Sequence, residues 1–124
     1  MSVPSNLKYV DTHEWVKVES SAGVVGLTAH AVELLGDVVY LELPKVGDNI
    51  SQNAAIGVVE SVKAASDIYT PISGKVVAVN DAVVADPGLL NQDAYANWLY
   101  RVEFSNAAEL DGLMTAEAYQ AAIS

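Results

Sequence analysis

The placement of valine constrains this chain more than any other feature. The 124 residues include 19 valines and 18 alanines. Valine is β-branched and suits the pleated, half-buried surface of a strand, whereas alanine favours helix. The valines fall in short runs between turn residues, and alanine gathers toward the C-terminus. Many short strands at near-regular spacing, with two helical pieces, predict a small β-sandwich or barrel with helical trimmings.

The local readings follow from the same pattern. Residues 15–19 alternate, with Val16 and Val18 on one face. Residues 20–23 read as a turn and 24–27 as the returning strand. Thr28 is a good N-cap for a helix over 29–35, with Leu27 and Val32 at staple positions and Gly36 as the stop. That helix is about two turns long, so it needs packing to survive. Further strands are expected over 38–43, 55–61, 67–69, 75–79 and 99–104. Residues 46–49, 71–74 and Asn80-Asp81 read as turns, and 86–97 as a polar loop. Residues 106–124 read as helical, with Asn106 and Glu109 in capping-box positions and Thr115 capping a second segment.

Charge and composition exclude several function classes. With 16 acidic and 6 basic side chains, the formal charge is −10. Such a surface repels nucleic acid and disfavours an anionic membrane. The absence of cysteine removes disulfide scaffolds, zinc-thiolate sites, iron–sulfur clusters and thiol nucleophiles. The first residues show no basic region followed by an apolar stretch, so no signal or transit peptide is expected. No apolar run approaches the ~18 residues of a membrane span. Length predicts one domain over residues 1–124, and these points a soluble, intracellular protein, although a processed organellar protein would read the same; the expectation is a cytoplasmic protein of bacterial type and a monomer.

Nothing in the sequence assembles a self-sufficient active site. His13 and His30 lack metal-binding spacing and read as structural or surface residues. The GxGxxG pattern, the phosphate-loop pattern and the GxSxG elbow are absent. Abundant carboxylates read first as an acidic face. Lys8, Lys17, Lys45, Lys75 and Arg101 read as solvated charges. Lys63 differs, because strand character runs in over residues 56–61 and out over 67–69. Val62-Lys63 therefore falls at the tip of a hairpin, flanked by small Ala64 and Ala65. A long amine on a rigid, protruding turn suits an enzyme that grips the turn and acylates it. Lysine also commonly sits on turns as a plain solvated charge.

At these residues the chain resembles a known family. Glu60-Ser61-Val62-Lys63-Ala64, followed by Ser66-Asp67-Ile68-Tyr69-Thr70-Pro71-Ile72-Ser73-Gly74, is similar to the lipoyl-attachment segment of the glycine cleavage system H proteins. The resemblance extends over His13-Glu14-Trp15-Val16, Gly26-Leu27-Thr28, Leu35-Gly36-Asp37-Val38-Val39 and Leu41-Glu42-Leu43-Pro44. It continues through Val79-Asn80, the 87–91 loop, Tyr95, Trp98 and residues 113–119. Several separate motifs in order make it specific.

The resemblance implies a lipoyl-domain barrel-sandwich hybrid with extra helices. It implies a non-enzymatic carrier with lipoate amide-linked to Lys63 and Glu60, Ser61, Val62 and Ala64 forming the attachment turn. Such a carrier takes the aminomethyl group of glycine from the pyridoxal-phosphate glycine decarboxylase (P protein) to the aminomethyltransferase (T protein). Dihydrolipoamide dehydrogenase (L protein) reoxidises it, and a lipoate ligase or an octanoyl/lipoyl transferase loads it. The sulfur chemistry then resides on the cofactor, which reconciles a cysteine-free chain with thiol work. The loaded arm is expected to fold against the body. Glu14 and Asp67, with Thr12 and Leu27 beside them, would form that cleft: carboxylates accept from the amine and Leu27 excludes water. The plainer alternative makes Glu14 and Asp67 ordinary exposed acids.

Three departures from the family pattern stand out. Ala29 and Val32 replace polar residues in the first helix. Asn53-Ala54 replaces a Lys-Gly-like turn. Residues 94–98 shorten a Pro-Tyr-x-x-Gly-Trp loop and lose its proline and glycine, which predicts a reshaped loop. Other readings remain at this stage. One is a lipoyl carrier serving lipoate distribution outside glycine breakdown. Another is a biotin carrier, disfavoured because Val62 and Ala64 flank Lys63 where that class has methionines. The last is an unmodified binding domain.

Overall fold

The structure, a computed structural model, describes residues 3–123. Met1 and Ser2, which belong to the leader reading, and Ser124, which belongs to the C-terminal helix reading, lie outside the described residues. In chain order the strands are β1 Lys8–Tyr9, β2 Glu14–Glu19, β3 Ala22–Leu27, β4 Val38–Glu42, β5 Asn49–Ile50, β6 Ala55–Ser61, β7 Ala65–Tyr69, β8 Gly74–Val79 and β9 Tyr100–Phe104. The helices are α1 Ala29–Leu35, α2 Asp81–Ala85, α3 Leu89–Gln92 and α4 Ala116–Ile123. A 3-10 helix spans Ala107–Gly112.

The strands make two antiparallel sheets. One is six-stranded in the order β1-β2-β3-β9-β8-β5, and the other is three-stranded in the order β4-β6-β7. Val16, Val25, Val59, Ile68, Val76 and Val102 from the two sheets belong to one buried cluster. Fully burying a residue of this kind contributes about 1.5–3 kcal/mol, so this layer dominates the stability. A second cluster lies outside it: Leu7, Tyr9 and Trp15 pack with Tyr119 of α4. Strand β2 is therefore buried on both faces at its start, through Trp15 and Val16.

The expected alternation of Val16 and Val18 holds only in direction. Val16 is fully buried, but Val18 is 46% exposed at the hairpin end. The 20–23 turn is shorter than expected. It is made at Ser20-Ser21, with Ser20 at φ 51°. Gly23 lies within β3 instead, where an added Cβ would come 2.7 Å from Ile72 Cδ1. Its missing side chain makes room for the core.

Helix α1 forms as predicted. Thr28 Oγ1 accepts from the Ala31 amide at 3.2 Å. Gly36, at φ 81°, returns its amide to the Val32 carbonyl. Two expectations fail for one reason. Asn80-Asp81 is not a free turn, because Asn80 caps α2 through the Ala82 amide at 3.2 Å. The 86–97 loop contains α3. Each of these helices spans about one turn and buries a single residue, Val83 or Leu90, so neither leaves a periodic trace. The expected capping box is also half made. Asn106 caps the Ala108 amide at 3.1 Å, but Glu109 is drawn away to the Ser73 amide and hydroxyl, both at 2.7 Å. Thr115 caps α4 through the Ala118 amide.

Candidate functional site

Strands β6 and β7 pair from Ala55↔Tyr69 to Glu60↔Ala65 and lift residues 62–64 clear of the sheet. The tip is tied by Ser61. Its amide donates to the Ala64 carbonyl at 2.7 Å. Its hydroxyl oxygen accepts from the Lys63 and Ala64 amides at 3.2 and 3.1 Å. The Val62 amide donates to the Asp37 carbonyl at 3.1 Å, bracing the tip against the entry to β4. Short polar side chains that bond nearby backbone amides fix turns in this way. Lys63 is thus an exposed side chain on an ordered backbone. Glu60, Val62 and Ala64 are exposed around it, and Val62 is 68% exposed.

Among the described residues the ion pairs are Lys17–Glu19 and Arg101–Glu19, at 3.7 and 3.4 Å. Lys63 is in neither. Its stem crosses Gly36, where an added Cβ would stand 3.1 Å from Cε. These residues fit an acyl group on Nζ: the amine is reachable, unpaired by a carboxylate, and flanked by small side chains.

Glu14 is not an ordinary exposed acid. It is 1% exposed, opposite Leu27 in the β2–β3 ladder. Thr12 donates its hydroxyl to one carboxylate oxygen, and the Tyr69 amide donates to the other at 3.3 Å. Burial pushes its pKa from the usual 4.5 up to about 7, and the two hydrogen bonds only partly offset that. The structure thus brings Thr12, Glu14 and Leu27 together and joins them to β7 at Tyr69. Asp67, two residues before Tyr69 on β7, is exposed.

The two histidines, far apart in sequence, meet in space. Their ring centroids are 4.8 Å apart. His13 Nδ1 and Thr28 Oγ1 each lie 2.8 Å from the Tyr119 hydroxyl. Burial, aided by His30, holds the His13 pKa below its ordinary value. The β2–β3 pairing of Glu14 with Leu27 brings the two histidines together, and Tyr119 of α4 joins the pair through His13 from the other end of the chain. Side chains tie the 94–98 loop in place. Asp93 accepts from the Tyr95 and Ala96 amides at 3.0 and 3.1 Å. Asn97 donates to the Leu89 and Asp93 carbonyls at 3.0 and 2.8 Å.

Two antiparallel sheets that raise one free lysine on a tied hairpin define the barrel-sandwich class to which lipoyl domains belong. The comparisons give the family within that class. The family description "Glycine cleavage H-protein" matches residues 7–124. A glycine cleavage system H protein of Chromobacterium violaceum is 53% identical over 120 residues, covering 95% of this chain and 94% of the relative. One from Carboxydothermus hydrogenoformans is 54% identical over 119 residues, covering 95% and 92%. A crystal structure of a glycine cleavage system H protein from Mycobacterium marinum superposes with a TM-score of 0.90 at 38% identity, covering 98% of each chain. The chain belongs to the glycine cleavage H-protein family.

Proposed function

We propose that residues 1–124 act as one carrier domain of glycine cleavage, with lipoate in amide linkage on Lys63 Nζ. The observation that carries this reading is the Ser61-tied tip, which presents an unpaired amine on a fixed backbone. Family membership supports the same role. Lipoate supplies a disulfide that can open, take up an aminomethyl group and re-form. The chain supplies position. A stiff hairpin fixes the arm's root, and a long tether gives successive partner sites a high effective concentration of its end.

The partners in this reading are the glycine decarboxylase, the aminomethyltransferase and dihydrolipoamide dehydrogenase, with a ligase or transferase that loads Lys63. The chain is the carrier component and not the catalyst. With lipoylated wild type as the control, Lys63→Arg keeps the fold and a positive charge but cannot be acylated, and it abolishes carriage in reconstituted glycine decarboxylation. Retained activity would refute the proposal.

Thr12, Glu14, Leu27 and Asp67 form the protecting cleft for the loaded arm. Glu14 can hold a proton on a carboxylate oxygen near neutral pH, so it can face an amine as donor or acceptor. Asp67 adds an exposed acceptor from β7, and Leu27 excludes water. Asp67→Ala speeds release of the carried group as ammonia and formaldehyde. An unchanged release rate removes Asp67 from the cleft.

A further inference from the structure

Gly36-Asp37 joins α1 to Val38, the first residue of β4. This short connection meets the lysine tip on one side and α3 on the other. On the tip side the Asp37 carbonyl accepts from the Val62 amide at 3.1 Å. On the α3 side one side chain holds both neighbours of Asp37. Asn91 Oδ1 accepts from the Val38 amide at 2.9 Å, and Asn91 Nδ2 donates to the Gly36 carbonyl at 2.8 Å. A side-chain amide carries an acceptor and donors side by side, so it can hold both groups at once.

The base of this brace is fixed. Leu90, next to Asn91, is 1% exposed in the main buried cluster. Asn97 ties α3 again through the Leu89 carbonyl at 3.0 Å. The connection itself needs holding. Gly36 lies at φ 81° and ψ −147°, a backbone conformation open to glycine and outside helix and strand geometry. The stem of Lys63 lies over the same glycine, where an added Cβ would stand 3.1 Å from Cε. Ser61 and Asn91 therefore act differently. Ser61 bonds within the tip and sets its shape. The bond to Asp37 joins the tip to the body and sets its direction.

We infer that Asn91 is a positioning residue for acylation of Lys63, acting through Gly36-Asp37-Val38 on the direction of the hairpin tip. This inference rests on the lipoyl reading of Lys63. In the reaction Nζ adds to the carbonyl carbon of an activated lipoyl donor. The amide C–N bond forms, the bond to the donor's leaving group breaks with its electron pair, and the amine gives up its protons to solvent. The enzyme holds the donor, so the carrier must bring Nζ within about 3–3.5 Å of that carbon. A misplacement of about 1 Å costs such a step on the order of a hundredfold. The lysine stem can absorb part of it, so the expected loss is about tenfold.

The test uses the full unmodified chain as substrate for a lipoate ligase with lipoate and ATP. Asn91→Ala removes both bonds. Asn91→Asp keeps the acceptor for Val38 but sets a carboxylate oxygen against the Gly36 carbonyl. Both variants should speed amide exchange at Val62 selectively and lower kcat/KM for lipoyl transfer about tenfold. Acetylation of Lys63 by acetic anhydride, which needs no grip, should keep its wild-type rate. Unchanged lipoyl transfer overturns the inference. Slower transfer with Val62 exchange unmoved also overturns it, by making Asn91 a direct contact of the ligase. A loss shared with acetylation, or faster exchange across both sheets, reduces Asn91 to a structural residue and overturns it too. Wild-type protein that takes no lipoyl group on Lys63 overturns the lipoyl reading itself.

Discussion

Glu14 is where the sequence-level reading changes most at the residue scale. As a charged residue before an alternating strand, it reads equally well as exposed. Its cover comes from β7, 55 positions away, through the Tyr69 amide, and no local pattern encodes that. The burial has a measurable consequence. The folded state holds the proton up to about pH 7, while the unfolded chain releases it near 4.5. Between those values the native state binds more protons, so its stability falls as pH rises. This contribution is fully present below about 4.5 and gone above about 7. A shift of this size corresponds to roughly 3 kcal/mol as an upper bound. Glu14→Gln removes the titration and leaves that of His13 in place. Thermal melts from pH 5 to about pH 8 should show wild type losing stability relative to Glu14→Gln. Parallel curves would contradict the burial.

At the element scale, Tyr119 is the buried anchor of helix α4, beside Ala116 and Ile123, which pack on the same cluster, and Gln120, which accepts from the Val3 amide at 3.1 Å. Tyr119 is 1% exposed, stacks on Tyr9 at 4.8 Å, and bonds both His13 and Thr28 through its hydroxyl. Thr28 also caps α1, so one residue links the C-terminus to the start of the first helix. Tyr119→Phe keeps the stack and deletes both bonds. The expected cost is about 1–3 kcal/mol, since buried partners are left unpaired. Denaturant unfolding and faster amide exchange in α4 would register it, and unchanged stability would show that packing holds the helix without those bonds. The sequence shows α1 and the β6–β7 hairpin well because their signals are contiguous: Thr28 through Gly36, and two strand runs closing on Val62-Lys63. It misses α2 and α3, whose burial rests on Val83 and Leu90 alone. It reads Glu109 as a cap because Ser73, its actual partner, is 36 positions away.

At the scale of the whole molecule, the two sheets explain how an acidic chain of formal charge −10 can work through one amine. Lys17 and Arg101 share Glu19 on the large sheet. Among the described residues Lys63, like Lys8, Lys45 and Lys75, is in no ion pair, and it is the one of these at the tip of the small-sheet hairpin. Acylation would remove its charge and leave the chain near −11. The absence of cysteine is no obstacle to the proposed role, because the sulfur would arrive on the arm. The central claim is that this lysine carries lipoate. Its most direct test is the intact mass of protein purified from its native cells, with the modified residue located by fragmentation. One lipoyl group on Lys63 is the predicted result. Unmodified protein, a biotin-sized addition, or a lipoyl group on any other lysine would contradict the account.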